Sequence, residues 1–515
     1  MTIEITCPTC GSHDISKNGT NHWGKQNHRC QDCGRQFVEN LQWQPKSEEI
    51  KKSVNRLLHE KISLAGIDQA TETSQSWVQS QANVTKTFIL VSNRGPNFKS
   101  ATKLHFSAGG TGDAYMNLVS NFCHKWLCIC SDKLSSNSVE SNFDDKLQVI
   151  FVKDHSYSRY YYEFISECLY PVLLGYPSKA ISCDKYSDYL YVMNVVIEEM
   201  REYMNFDVIL CDYHLYKLPT LIDWKCRKIF FWFIPFLNVE FHKNIHKEIV
   251  EGLSKCEKVF FLTNEYSNNF KRSFEYYFPD EDLNTNLEVL IPGPDRGFEQ
   301  AEYISRKDFQ ESLKYFDVEF SDHDNYLLSV SRLDFVKNIP LTIQGFEYYL
   351  KNHPNSNSHL LIIAPHHRES SEIYQDEERS ISSILSRLSC KSRVHVIHRR
   401  FNREELKVLY KFCHMFILAS RFDGMPLSPL EYALSNNGCG SIVTSNTSGT
   451  YRFIGNYAYS FESESFVSLG QAISRAICDS PEDKKTRLSS IKTLVKSVTI
   501  DHWVDEVAKV ISNEK

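Results

Sequence analysis

The chain has 515 residues, more than a single hydrophobic core supports, so two or three domains are expected. With 42% hydrophobic and 24% charged residues it has the composition of an ordinary soluble globular protein. A net charge of -6 excludes a general attraction to nucleic acid or an anionic membrane, so any such partner has to be met by a local surface.

The opening "MTIEITCPTC" lacks the charged-then-apolar layout of a signal peptide, and the longest apolar run, "KIFFWFIPFL", is too short to cross a bilayer. A cytoplasmic protein is therefore expected. Of the 16 cysteines, four fall in two tight pairs, and the scattered remainder read as small buried hydrophobes. Cys7-Pro-Thr-Cys10 and Cys30-Gln-Asp-Cys33 are separated by about nineteen residues, the spacing of a four-thiolate structural zinc site. Gly11 and Gly34, directly after each pair, permit the tight turns such sites need. No further ligand argues for a catalytic metal. Residues 1–40 are thus expected to be a zinc ribbon.

In residues 41–85, Ile50, Val54, Leu57 and Leu58 recur at helical spacing, followed by short helical stretches at "SLAGIDQAT" and "SQSWVQS". This is the outline of a helix-turn-helix, running into a linker. Together with "KNGTNHWGKQNHRCQDCGRQF" the segment resembles the zinc ribbon and helix-turn-helix at the N-terminus of some insertion-element transposases, where the pair binds DNA. Lys17, Lys25, Arg29 and Arg35 offer a local basic face, but over residues 1–85 basic residues only equal acidic ones in number. The partner class stays open between DNA and protein, including self-association.

From Thr87 the pattern changes to apolar strands alternating with amphipathic helices: "FILVSNR", "LQVIFVK", "FDVILCDY", "KIFFWFI" and "KVFFLTN". After "VLIPGPDRGF" a second series follows: "YLLSVSR", "HLLIIAP", "RVHVIHR", "HMFILAS" and "GSIVTSN". Such alternation predicts parallel sheets covered on both faces, an α/β fold of two Rossmann-like domains facing across a cleft. The expected boundaries are 86–292 and 293–485, with a C-terminal helix over 486–515. Ligands bind at the carboxyl ends of such strands. No GxGxxG follows a strand, so a dinucleotide fingerprint is absent. The stretch "SVSRLDFVKNIPLTIQGFEYYL" places Arg332 and Lys337 at the mouth of a strand-to-helix turn, where cations and helix N–H groups suit a diphosphate.

The ordered motifs of this region resemble the trehalose-6-phosphate synthases, retaining glycosyltransferases of family 20 with the GT-B fold. The resemblance is carried by "VSNRGP", "SAGG", "YYYEFISECLYP", "DYHL", the Arg332 to Lys337 spacing, "IIAPHHRES" and "SRFDGMPLSPLEYA". It implies transfer of a sugar from a nucleotide diphosphate sugar to a sugar phosphate or related acceptor, without a catalytic metal or enzyme nucleophile. The residues it implies on the donor side are Gly109, Gly110, Arg332, Lys337, Asp423, Gly424, Met425, Leu427 and Glu431. Arg332, Lys337 and Asp423 are the ones it implies for catalysis. On the acceptor side, within 86–292, it implies Arg94, Tyr161, Tyr170 and Asp212, joined by Arg368.

The pattern departs at Phe233, where the family has a histidine near the donor sugar, and at Tyr170, where it has a tryptophan. Asn338 replaces a glycine, Pro426 an asparagine, and Thr111 follows the paired glycines. Three readings stand: a glycosyltransferase with an altered donor or acceptor, a nucleotide-sugar or sugar-phosphate binding pseudoenzyme or sensor without turnover, and a DNA-binding regulator or mobile-element-derived protein.

Overall fold

The computed structural model describes residues 6–7, 12–20, 26–38, 50, 53–54, 64–71, 73–74, 88–95, 115, 118–119, 122–133, 146–176, 183–238, 243–366, 372–436, 438 and 440–512. It divides the chain into two compact units, Met1–Ala82 and Asn83–Lys515.

In the first unit Ile15–Thr20 (β1), Gln26–Cys30 (β2) and Gln36–Val38 (β3) form an antiparallel sheet with β2 in the middle. Gly34 turns the chain between β2 and β3 at φ +72°, a conformation open to glycine without steric cost. Its N–H donates to the Cys30 carbonyl at 3.0 Å, which closes the turn behind the second cysteine pair. Leu64–Thr71, within "SLAGIDQAT", is helical, and Ile50 and Val54 are also in helical conformation. Val54 and Ile67 are fully buried. Leu57, Leu58 and residues 75–80 of "SQSWVQS" lie outside the described residues.

The second unit holds two sheets. Phe88–Ser92 (β4), Cys123–Ser131 (β5), Leu147–Val152 (β6), Asp207–Cys211 (β7), Lys228–Phe231 (β8), Lys258–Phe261 (β9) and Asn286–Val289 (β10) are ordered β10-β9-β8-β7-β4-β5-β6. Asn325–Val330 (β11), Ser358–Ile363 (β12), Val394–Ile397 (β13), Met415–Leu418 (β14), Ser441–Ser445 (β15) and Tyr459–Phe461 (β16) are ordered β13-β12-β11-β14-β15-β16. Every pairing in both is parallel. The chain is therefore α/β with two Rossmann-like sheets, as the alternation predicts. Central strands such as β4, β14 and β15 are buried at every residue, the mark of a sheet covered on both faces.

Three strands go beyond the sequence reading. β5 mixes His124 and Lys125 with cysteines and so lacks the β-branched signature. β10 is a half-exposed edge strand of four residues, and β16 has only three.

The stretch 486–515 contains the end of one helix, Pro481–Lys496, and a second, Ile500–Ser512. Leu488, Ile491 and Val495 of the first pack into the second sheet's core. The chain then crosses back, and Ile500, Trp503, Val504 and Val507 pack against Phe88, Trp126, Ile209 and Phe231 of the first sheet. At the crossing, the Ile500 N–H donates to the Pro294 carbonyl at 3.2 Å. A Cβ on Gly293 would overlap the Val498 carbonyl, so the two connectors touch backbone to backbone. Among the described residues no helix is long and apolar enough to cross a membrane.

Candidate functional site

The carboxyl ends of strands from both sheets open on one cleft of about 1020 Å³. Arg94, Tyr170 and Asp212 line it from the first sheet's half. Arg332, Lys337, Asp423, Met425, Leu427 and Glu431 line it from the second. Residues scattered over more than 300 positions of sequence thus share one cleft.

The turn after β11 is built by its own side chains. Asp334, 1% exposed, accepts the Val336 N–H at 3.1 Å and lies 3.7 Å from the Arg332 guanidinium. Lys337 closes the turn and donates to Asp423, a partner 86 residues further on. Asn338 then takes φ 53°, ψ 49° before the helix Ile339–Asn352 starts. Asparagine tolerates this left-handed conformation better than other non-glycine residues, so it can stand where the resembling family has glycine.

The loop after β14 is held by close backbone approach. A Cβ at Gly424 would overlap the Phe233 carbonyl oxygen and Leu262, and one at Gly449 would overlap the Gly424 carbonyl. The Gly449 N–H donates to the Asp423 carbonyl at 2.9 Å. Gly424 is thus clamped between Phe233 of the first sheet's half and Gly449 of the second. The helix Ser428–Ser435 begins directly after this loop, with Leu427 at its cap and Glu431 in its first turn. Tyr410 donates to Glu431 at 3.2 Å, and burial, with Glu431 adding to it, raises the Tyr410 phenol well above its ordinary range.

On the opposite wall, Arg94 donates to the Tyr161 hydroxyl and sits over the Tyr161 ring. Tyr161 belongs to Arg159–Leu169, a stretch wound wider than an α-helix, in which the Ser166 hydroxyl donates to the Tyr161 carbonyl at 2.7 Å. It stacks on Tyr157 and His214, behind the cleft wall. Tyr170 stacks on Tyr213 at 5.5 Å and meets Phe335 edge-on. Asp212 has φ 78°, ψ 158°, a region that almost only glycine occupies. Its carboxylate accepts the Tyr213 N–H at 2.9 Å and lies 3.5 Å from His214 Nδ1, which holds the strained residue in place. Phe233 lines the cleft with its ring against Tyr115 and Phe231.

Gly109, Gly110, Thr111 and Arg368 lie outside the described residues. The sequence reading missed a further wall after β13, formed by Arg399, Arg400, Phe401, Asn402 and Arg403. Its available signal is the Asn402–Glu405 capping box that opens the helix Arg403–Phe412 at a strand end. Two of its cations are occupied: Arg399 pairs with Glu405, and Arg403 with Asp295 at 3.2 Å.

In the separate N-terminal unit the sulfurs of Cys7, Cys30 and Cys33 converge within 4.8 Å, with Cys7 and Cys30 buried. Cys10 lies outside the described residues. Three clustered thiols, two of them sheltered, fit a soft or borderline cation such as zinc.

Comparison with known proteins bears on the second unit. The sequence profile of glycosyltransferase family 20 matches residues 78–285 and 295–513. An alpha,alpha-trehalose-phosphate synthase (UDP-forming) of Pichia angusta is 24% identical over 472 residues, covering 82% of this chain and 98% of the relative. The fold matches an E. coli trehalose-6-phosphate structure bound with UDP-2-fluoro glucose at a TM-score of 0.71 and 18% identity, covering 84% of this chain and 99% of that one. It also matches a Burkholderia xenovorans alpha,alpha-trehalose-phosphate synthase in complex with glucose-6-phosphate, at a TM-score of 0.68 and 18% identity, over 82% and 99% of the two chains. Every strand of both parallel sheets except β10 lies inside the matched residues, and the chain belongs to glycosyltransferase family 20.

Proposed function

We propose that the Asn83–Lys515 unit is a retaining hexosyltransferase of the trehalose-6-phosphate synthase type, which moves a sugar from a nucleotide diphosphate sugar to a sugar phosphate or related acceptor. The observation that carries this reading is the meeting of Arg332, Lys337, Asp423 and the helix start bearing Glu431 in one cleft. Fixed cations and helix N–H groups stabilise a leaving diphosphate as its charge grows. Arg332 offers a fork for two phosphate oxygens and Lys337 a point charge. Glu431 is suited to accept from the ribose hydroxyls, with Asp423, Gly424, Met425, Leu427, Gly109 and Gly110 around the donor. Arg94, Tyr161, Tyr170, Asp212 and Arg368 serve the acceptor. The bond from the anomeric carbon to the diphosphate breaks on the face where the acceptor oxygen attacks, and the acceptor proton passes to the diphosphate. Product formation from a panel of nucleotide sugars and sugar phosphates tests this reading. Inertness toward the whole panel would overturn it.

Phe233 favours one second reading, a nucleotide-sugar sensor without turnover, because a phenyl ring in the cleft cannot donate the hydrogen bond of an imidazole. The Gly424 clamp uses the backbone of residue 233 and not its side chain, so Phe233→His leaves the scaffold intact. For an active enzyme adapted to the phenyl ring, the variant is expected to gain little with the native donor. An inert wild type beside an active histidine variant would make the chain a sensor.

The N-terminal cluster supports a structural zinc site of Cys7, Cys10, Cys30 and Cys33. Metal analysis of the purified full chain is expected to find one zinc per chain. Chelation is expected to unfold the small ribbon, which has little core of its own, and to leave the thermal transition of Asn83–Lys515 nearly unchanged. A folded, zinc-free ribbon would refute the site.

A further inference from the structure

The turn that carries Arg332 and Lys337 rests on a buried carboxyl with no place in the reading above. Glu377, on the helix Glu372–Arg387, is 8% exposed, and its Oε1 has no hydrogen-bond partner. A buried polar atom without a partner is rare enough to need a reason. Asn338 Nδ2 and Ser420 Oγ, which flank the same turn, are likewise without one.

The surroundings of Glu377 come from four segments. The turn itself brings Asp334, 1% exposed and facing Arg332, and the backbone N–H of Ile339. The loop after β14 brings Arg421, whose backbone N–H donates to the Val336 carbonyl at 2.8 Å and whose guanidinium is paired with Glu464 at 2.7 Å. From the first sheet's half Tyr176 packs under Arg421 and edge-on to Phe335. From Glu377's own helix Tyr374 also meets Phe335 edge-on, while Glu378 faces His366 at 4.0 Å. Burial pushes the Glu377 carboxyl up to about 8. Asp334 and Glu464 add to that rise, while Arg421 and the Ile339 N–H oppose it. An ionised Glu377 would stand beside the buried Asp334 with its nearest cation already bound by Glu464.

We propose that Glu377 is a positioning residue for the donor-side cations: as a neutral acid it seats the Asp334–Asn338 turn, and with it Arg332 and Lys337, and its ionisation loosens that turn. The functional consequence rests on the donor-site reading, whereas the loosening itself does not. The expected behaviour is reversible loss of nucleoside diphosphate affinity in mildly alkaline solution.

The test is amide hydrogen exchange of the full chain at pH 7 and pH 9, corrected for the intrinsic dependence of exchange on pH. Protection of the Val336–Thr342 amides is expected to fall about tenfold in the wild type and to stay level in Glu377→Gln, which keeps the shape and cannot ionise. The wild type alone decides if the variant does not fold, because unchanged protection at pH 9 overturns the proposal. An equal fall in wild type and variant also overturns it. Thermal unfolding gives a second readout. A carboxyl raised from 4.5 to about 8 on folding contributes stability that is lost as pH rises between those values, so the wild type should lose stability over that window relative to Glu377→Gln. UDP titration at pH 7 separates the two layers: no binding would sink the donor-site reading, while the exchange data still decide the role of Glu377.

Discussion

Lys337→Ala is expected to weaken UDP binding roughly 10- to 150-fold, on the order of 1.5 to 3 kcal/mol for one charge-assisted hydrogen bond. The loss has two sources. Lys337 supplies a positive point charge at the end of the β11 turn, and it also neutralises Asp423, which is 16% exposed in its side chain. Without the lysine, a diphosphate entering the cleft meets an unpaired carboxylate where it met an ion pair. Lys337→Arg keeps the charge but spreads it over a planar fork, so it should recover only part of the affinity. Arg332→Ala is expected to act in the same direction and more weakly, because its carboxylate partner, Asp334, lies further away at 3.7 Å. Calorimetric titration with UDP is the measurement. Affinity unchanged in both variants would return Arg332 and Lys337 to ordinary surface charges.

Trp503→Ala is expected to cost about 3 to 5 kcal/mol of stability, the range for deleting a large aromatic from a packed core. Trp503 is fully buried although it sits near the C-terminus, and its ring meets Phe231 at 5.1 Å. It anchors the helix Ile500–Ser512, which belongs to the second half by sequence and packs on the first sheet. Phe231 lies at the end of β8, two residues before Phe233, so the anchor also backs the cleft floor. Chemical denaturation of the full chain reads the effect. A variant as stable as the wild type would show that the C-terminal helix adds little to the core of the first sheet.

Local pattern made much of this architecture legible. Apolar runs such as "FILVSNR" and "HMFILAS" are buried on both faces because parallel strands are covered by helices on either side, and that burial is what removes polar alternation from the sequence. The five-residue step from Arg332 to Lys337 spans one turn between strand and helix, so spacing alone placed both cations at a strand's carboxyl end. The cysteine pairs were legible for the same reason: two thiols per tight turn is a local property, and three of the four sulfurs converge as that spacing implies.

Contacts between distant segments were decided by packing. Nothing near Lys337 announces Asp423 as its partner, since 86 residues and several strands must fold before the two meet. The departures from the family pattern divide along the same line. The left-handed backbone of Asn338 accounts for asparagine there, whereas the carbonyl that clamps Gly424 would be the same for any residue at 233 and does not explain the phenyl side chain. The wall at Arg399–Arg403 carries only a capping box, which marks a helix start and no site, because any strand-to-helix turn can supply a cleft surface and only the sheet order selects which one does. Glu377 shows the limit most clearly. In sequence it is one of several charges on an amphipathic helix, and burial, a long-range event, with Asp334 adding to it, is what pushes its carboxyl up.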